Sequence, residues 1–319
     1  MEQPDDRHIL VLEPVYKQGI LFQKVKELMI VSYWRAANKL IIYLWGFYFL
    51  ISFPILTYSD LGNEKTRPQR IVSLAPFVTE ELYLLNVQGR LIACTTYCNR
   101  PGAAKNKPRV STAVKPNIEK IVSLKPDLIL AAELVDSRSI KKLELLGIPV
   151  KVFPVARSFS HLCDIFLEIG SLVGRPDLAV NIVNRSKKRI KTVTHRVKNL
   201  SRLKVFMQIG SRPLFTVIEN TFMNDYIEYA GGVNIAAGAQ SGIYSREEVL
   251  RQNPDVIVIV SMGEIQKQEI KAWQRYGSIA AVKNKRILII DSEKACSATP
   301  ETFCDVLEEI AQFLYPQIK

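Results

Sequence analysis

Thiols, cations and carboxylates occur in this chain in a few settings where their types suggest chemistry. Cys98 lies in Tyr97-Cys98-Asn99-Arg100-Pro101, and Cys296 lies in Lys294-Ala295-Cys296-Ser297-Ala298-Thr299-Pro300. A thiolate from either is a soft ligand suited to a soft or borderline metal, and the same small side chain serves equally as an apolar filler. Arg100, Arg212 and Lys294 could pair with carboxylates of an anionic ligand, or simply keep a surface solvated. Of the three histidines, His8 precedes the apolar segment 40–57 and is expected in the cytoplasm, and His161 and His195 lie outside the loops that follow the predicted strands. They assemble neither a Ser/His/Asp constellation nor the clustered imidazoles and carboxylates that bind free zinc or manganese. These residue types favour binding over catalysis.

A repeat shows how such residues are positioned. Asn117-Ile118-Glu119-Lys120-Ile121-Val122, followed by Lys125-Pro126-Asp127-Leu128-Ile129-Leu130, is answered 128 residues later by Ser245-Arg246-Glu247-Glu248-Val249-Leu250 and Asn253-Pro254-Asp255-Val256-Ile257-Val258. Asn117 and Ser245 are favoured N-caps, and a Glu in the first turn is stabilised by the helix dipole. Proline cannot continue the helix, and the apolar runs 128–132 and 256–260 read as strands buried on both faces. Each copy is a short helix feeding a parallel strand, so the chain has two lobes.

The remaining elements fit the same plan. In the first lobe the pattern predicts strands 70–74, 91–95 and 150–153, with helices 79–85 and 139–146, the second ending at Gly147. Residues 177–200 lack Gly and Pro and carry apolar residues at helical spacing, which predicts one long connecting helix. Beyond it, strands 204–209 and 286–290 and helices 221–230 and 301–314 complete a second lobe. The expected class is α/β: two lobes, each with a central parallel sheet flanked by helices, joined by one stiff helix and preceded by a membrane segment. The boundaries follow as 1–39 (cytoplasmic or n-region), 40–58 (signal or anchor), 59–69 (linker), 70–176 (N-terminal lobe), 177–200 (connecting helix) and 201–319 (C-terminal lobe).

Residues 40–57 are 18 consecutive uncharged residues preceded by Arg35 and Lys39. That length just spans a bilayer, and the positive flank leaves the preceding end in the cytoplasm, so everything after Tyr58 is expected outside it. No small-x-small cleavage site stands near Ser59 and no Cys follows to accept a lipid, which leaves cleaved signal and retained anchor both open. Met29 is an alternative start to Met1. The formal net charge is +12, but no basic run interleaved with aromatics appears, so nucleic acid is not an expected partner. Five cysteines without a CxxC pair do not make a disulfide framework.

The segments RIVSLAPFVTEELYLL at 70, NIEKIVSLKPDLILA at 117, KVFMQIGSRPLFT at 204, GGVNIA at 231 and SREEVLRQNPDVIVI at 245 together resemble the substrate-binding proteins of ABC importers for cobalamin, haem and ferric siderophores. The resemblance covers about residues 68–316 and is nearest to the cobalamin-binding branch. It implies an extracytoplasmic binding component, without enzymatic activity or an intrinsic cofactor, whose partners are a permease, its ATPase and a transported metal chelate. A chelate-processing enzyme or a membrane-anchored ligand-sensing ectodomain is the alternative on the same fold. In that family an exposed Glu on each lobe engages permease arginines, and Glu119 and Glu247 match those positions. Helix-dipole compensation is their simpler role. The ligand is expected between the lobes, beyond the carboxyl ends of the strands. The expected ligand set is Tyr97, Cys98, Asn99, Arg100, Arg212, Phe215, Glu293, Lys294 and Cys296, with Tyr97 and Phe215 matching aromatic rings laid against a corrin and Cys98 and Cys296 as metal ligands. The chain departs from the cobalamin pattern at Ala113, Ala132 and Ser241, where relatives carry Trp, and at Glu293 and Ser297, where they carry Asp and Arg. A roomier, less aromatic pocket follows, open to a corrinoid, haem or another ferric chelate.

Overall fold

The computed structural model describes residues 67–261 and 264–318, within one compact unit, Thr66–Lys319. The apolar segment 40–57 and its linker lie outside the described residues. Among the described residues no helix is long and apolar enough to cross a membrane.

The first lobe is built on a five-stranded parallel sheet of β1 (Ile71–Leu74), β2 (Leu91–Thr95), β3 (Arg109–Ser111), β4 (Leu128–Ala132) and β5 (Val150–Phe153), in the order β3-β2-β1-β4-β5. Its helices are α1 (Pro76–Leu84), α2 (Ile118–Ser123) and α3 (Ser137–Leu145). α1 starts earlier than the apolar pattern predicts because Pro76 is suited to the first helical turn, where its missing N–H is not needed. Two helices follow: α4 (Phe159–Leu172) and α5 (Pro176–Val197). α4 is amphipathic, with Ser160, Asp164, Glu168 and Ser171 exposed at helical spacing opposite Leu162, Ile165, Phe166 and Ile169, and the expected plan lacks it. α5 is 22 residues, about 33 Å at 1.5 Å per residue, and begins at Pro176 for the same N-terminal reason as α1.

The second lobe contains β6 (Lys204–Ser211), β7 (Leu214–Thr216), α6 (Phe222–Tyr229), β8 (Val233–Asn234), α7 (Arg246–Gln252), β9 (Val256–Ser261), α8 (Glu264–Gln274), α9 (Ala280–Lys283), β10 (Ile287–Asp291), α10 (Ser292–Cys296) and α11 (Pro300–Leu314). Its sheet runs β10-β9-β6-β7, with β8 also paired to β6. The expected all-parallel sheet is modified at β7, which returns antiparallel to β6 through the Arg212-Pro213 turn. A two-residue hairpin permits that pairing, whereas parallel strands need a long crossover.

The repeated motif does the same work in both lobes. Asn117 Oδ1 accepts from Lys120 N at 2.9 Å, and Ser245 Oγ accepts from Glu248 N at 3.0 Å, so both caps form. Lys125 and Asn253, each just before the proline, adopt φ of 48° and 47° to turn the chain from helix to strand. Asp127 then accepts from Gln69 N at 2.6 Å and Arg70 N at 2.9 Å, while Asp255 accepts from Lys204 N at 2.8 Å. In return the Asp127 and Asp255 amides donate to the carbonyls of Arg70 and Lys204. The Pro-Asp pair thus clamps the start of the neighbouring central strand, β1 or β6.

One hydrophobic core runs through both lobes, from Ile71 and Leu130 by way of Phe166 and Ile182 to Val205 and Val256. α4, α5 and α11 supply its middle. Phe303 of α11 stacks on Tyr226 at 4.3 Å and meets Phe159 at 4.7 Å. On the outside Arg189 of α5 bonds Glu308 and Asp305 of α11, each at 2.7 Å. The two lobes therefore share one packed interior.

Candidate functional site

The β1–α1 turn, the β2 exit loop and the loop after β4 all lie at the carboxyl ends of the first sheet. There they meet α10 and the start of α6 from the second lobe. Between them is a cavity of about 380 Å³, walled by Leu74, Phe77, Leu162, Ile165, Phe222 and Ala298, with Tyr97, Ala113 and Ala132 also on its surface. A second hollow of about 230 Å³ is bordered by Glu80, Arg100, Ser292 and Glu293. Both share Pro76, Tyr97, Cys296 and Ser297, which makes them two arms of one cleft, one apolar and one polar. A larger hollow of about 800 Å³ lies beside the C-terminal half of α5, lined by Lys188, Lys191, His195 and Arg196. It is shallow and open, as the basic solvated face of that helix requires. The interlobe cleft, at the strand ends, has the position and shape expected of a small-molecule site.

The sequence-predicted residues divide in two. Tyr97 is 54% exposed and borders both arms, ready to lay its ring on a ligand. Asn99 Nδ2 donates to Glu293 Oε1 at 2.6 Å, a bond between the lobes along the polar arm. Arg100 binds Glu80 and also donates to the Ser297 carbonyl at 3.4 Å. Its Nη2 is committed to Glu80 and Ser297 while Nη1 is buried without a hydrogen-bond partner among the described residues, and with Glu80 beside it the polar arm offers an anionic ligand less net charge than the sequence suggests. Burial pushes the Glu80 carboxyl up more than Arg100 pulls it down. Cys296 is exposed on both arms, although the walls around it push its thiol up to about 11, helped by Asp291.

Other predicted residues are placed elsewhere. Cys98 is fully buried and is a wall residue of neither arm. Thr79 donates its hydroxyl to Cys98 Sγ at 3.1 Å, Thr95 Oγ1 stands 3.1 Å from the same sulfur, and Cys94 shares a hydrogen bond with it. That bond to Cys94 is the main reason the Cys98 thiol is held down to about 6, against the opposing effect of burial, while Cys94 is pushed up. The tight β2 turn draws Cys98 inward, so it does not share the cleft with Cys296 as two ligands of one metal must. Among the described residues no group of three or more His, Cys, Asp or Glu is arranged to hold a metal ion. Phe215, 37% exposed, lies over Gly210 and Gly242 on the β6–β7 hairpin and borders neither arm. Arg212 and Lys294 are exposed and also stand outside both linings.

Sequence reasoning missed the wall from α4 and α6, because α4 itself went unread, and it missed Glu81. Glu81 is fully buried, borders the apolar arm, and neither carboxyl oxygen has a hydrogen-bond partner among the described residues. The signal was present: Glu81 falls on the stripe of α1 that also carries Val78 and Leu82, where an acid is out of place. Burial, then the charge of Glu80, raises its carboxyl well above the ordinary range. An unpaired buried carboxyl costs about 1–3 kcal/mol. A raised acid contributes stability that is full below the unfolded value near 4.5 and is lost as pH rises toward the folded value. Replacing Glu81 by Leu therefore raises the thermal midpoint little at pH 4 and progressively more toward pH 8, with a slope of at most about 1.4 kcal/mol per pH unit. An offset that stays constant between these pH values would show that the carboxyl titrates normally when folded.

The profile of the periplasmic binding protein family matches residues 71–294. An uncharacterized ABC transporter substrate-binding lipoprotein of Bacillus subtilis is 30% identical over 276 residues, covering 83% of this chain and 86% of its own. The periplasmic vitamin B12-binding protein of Vibrio cholerae, whose crystal structure is known, is 26% identical with a TM-score of 0.67, covering 77% of this chain and 96% of that one. A periplasmic haem-binding protein of Pseudomonas aeruginosa shares the fold, with a TM-score of 0.71 at 21% identity over 79% of this chain and 94% of that one. The two-lobed architecture, the cleft at the strand ends and a profile match from the first strand to α10 agree: the chain belongs to the periplasmic binding protein family, the non-enzymatic substrate-binding components of importers.

Proposed function

We propose that this chain captures a corrinoid, or a metal chelate of similar shape, in the interlobe cleft outside the cytoplasm and delivers it to an ABC permease. The observation that carries the reading is the cleft itself: an apolar arm of about 380 Å³ faced by Tyr97, at the strand ends of a fold 26% identical to a vitamin B12-binding protein. Ala113 and Ala132 border that arm and leave it free of the bulk that Trp would bring, which fits a ligand whose periphery differs from that of cobalamin. Haem and ferric siderophores are the competing chelates. Delivery would use Glu119 on α2 and Glu247 on α7, both exposed, whose side chains make no hydrogen bond or ion pair among the described residues.

Titrating cobinamide, cobalamin, hemin and a ferric siderophore while recording visible spectra and thermal midpoint tests the ligand, since a true ligand stabilises by mass action. One corrinoid is expected to bind, and Tyr97→Ala to weaken it about tenfold, a loss in the range of one aromatic contact. Stabilisation by the siderophore alone would overturn the corrinoid assignment. Residues 40–57 would serve as export signal or anchor. Recovery of the intact chain in the soluble cytoplasmic fraction would contradict export.

A further inference from the structure

A ligand in the apolar arm needs a polar group to hold it in one orientation. Most of that arm is hydrocarbon, and among the described residues no Lys, Arg or His borders it. Besides Tyr97, Cys296 and Ser297, which the polar arm shares, the arm is bordered by Glu81, which is fully buried and whose two carboxyl oxygens lack partners among the described residues. The charged and titratable neighbours of Glu81 are Glu80, one residue away on the same helix, and Cys163 on α4, which feels the Glu81 charge. Neither supplies a cation. A carboxyl kept protonated presents one O–H donor and one carbonyl acceptor side by side. A primary carboxamide carries the matching acceptor and donor in the same plane, so the two can close a paired ring of hydrogen bonds. A ligand carboxylate entering this arm would lose its hydration and meet no positive charge, and an ammonium would have to be desolvated as well.

We propose that Glu81 is the polar anchor of the apolar arm and that the ligand group it receives is a peripheral, uncharged carboxamide. The proposal rests on the reading of the cleft as a chelate site and adds the group by which the chelate is recognised. It also accounts for an acid on the core stripe of α1, where Leu would pack better. In the empty cleft Glu81 is a liability, and a bound carboxamide satisfies it.

The test uses the full chain and two matched pairs of probes: cobinamide with cobyrinic acid, and hemin bis-amide with hemin. Each pair offers one ring system with a periphery of amides or of acids. Wild type is expected to prefer the amide member of whichever pair it binds by about tenfold or more. Glu81→Gln, which keeps a donor and an acceptor, retains that preference. Glu81→Leu abolishes it while raising the thermal midpoint of the ligand-free protein, an outcome that a purely structural role for Glu81 would not give. Binding of an amide probe unaffected by Glu81→Leu overturns the anchor and leaves the cleft reading intact. Preference for an acid probe, or release of a proton on binding as an ammonium would require, overturns the carboxamide assignment. Binding of none of the four probes overturns both the anchor and the cleft reading beneath it.

Discussion

Replacing Glu119 and Glu247 together by Lys is expected to cut uptake of the captured chelate by more than about 100-fold, because like charges set opposite each other at an interface cost several kcal/mol. Affinity for the ligand in solution should not change. The two carboxylates stand on α2 and α7, at the first turns of helices capped by Asn117 and Ser245, and neither helix contributes to the cleft linings. Each single Ala substitution should reduce uptake by about tenfold, and the pair more than either. Uptake assayed in cells carrying the cognate permease, beside titration of the purified variants, separates docking from binding. Wild-type uptake by the double Lys variant would reduce the two Glu residues to dipole compensation, which is worth only about 0.3–1 kcal/mol.

Loss of the Arg246 side chain is expected to have the largest effect on stability. Arg246 Nη2 bonds Glu269 Oε2 at 2.8 Å, and the guanidinium lies over the Trp273 ring at 4.4 Å. Gln208 completes the network, donating to Glu269 at 2.8 Å and accepting from Trp273 Nε1 at 2.7 Å. Burial raises the Glu269 carboxyl, but the bonds from Gln208 and Arg246 outweigh it and hold the group below its ordinary value. Arg246→Ala leaves Glu269, 7% exposed, as an almost buried charge without its cation. Breaking such a pair costs about 3 kcal/mol, and in a protein of this size the midpoint should fall by about 6–12 °C. A depressed acid contributes stability above the unfolded value that disappears as pH falls through the folded one, so the wild-type advantage should shrink below pH 4.5. A double variant, Arg246→Met with Glu269→Leu, should recover most of the loss, since apolar residues fill the same volume without an orphaned charge. Chemical denaturation at pH 7 and pH 4 distinguishes these outcomes. A midpoint unchanged in Arg246→Ala would show that solvent reaches the pair. Because Arg246 is adjacent to Glu247, the substitution should also lower uptake beyond what the lost stability explains.

Arg246 and Glu247 are neighbours in the second copy of the repeat. Arg246 turns inward to Glu269 and Trp273, and Glu247 turns outward, since consecutive residues on a helix point about 100° apart. In the first copy the residue matching Arg246 is Ile118, which packs against the apolar cluster of Val72, Ile121 and Ile129. The lobes anchor equivalent helices by different means, a polar network in one and hydrocarbon in the other.

Sequence by itself determined what depends on near neighbours along the chain: the caps at Asn117 and Ser245, the strand runs after each Pro-Asp pair, the long helix without Gly or Pro, and the two-lobed plan. These are local in origin, since a cap needs a residue three places away and a strand a short apolar run. Tertiary structure decided which side chains face the cleft. Tyr97 and Cys98 are adjacent, yet the turn after β2 exposes one and buries the other, and nothing in their types foretold which. Phe215 and Cys296 carried similar weight as candidates, but the antiparallel return of β7 moved the first away from the linings while α10 set the second on both arms. Glu81 lay hidden in an apolar helix because its meaning comes from α4 and α6, packed against it from about 80 and 140 residues along the chain. A helix cap is written in four residues, whereas a binding cleft is written in whatever the fold brings to the ends of its strands.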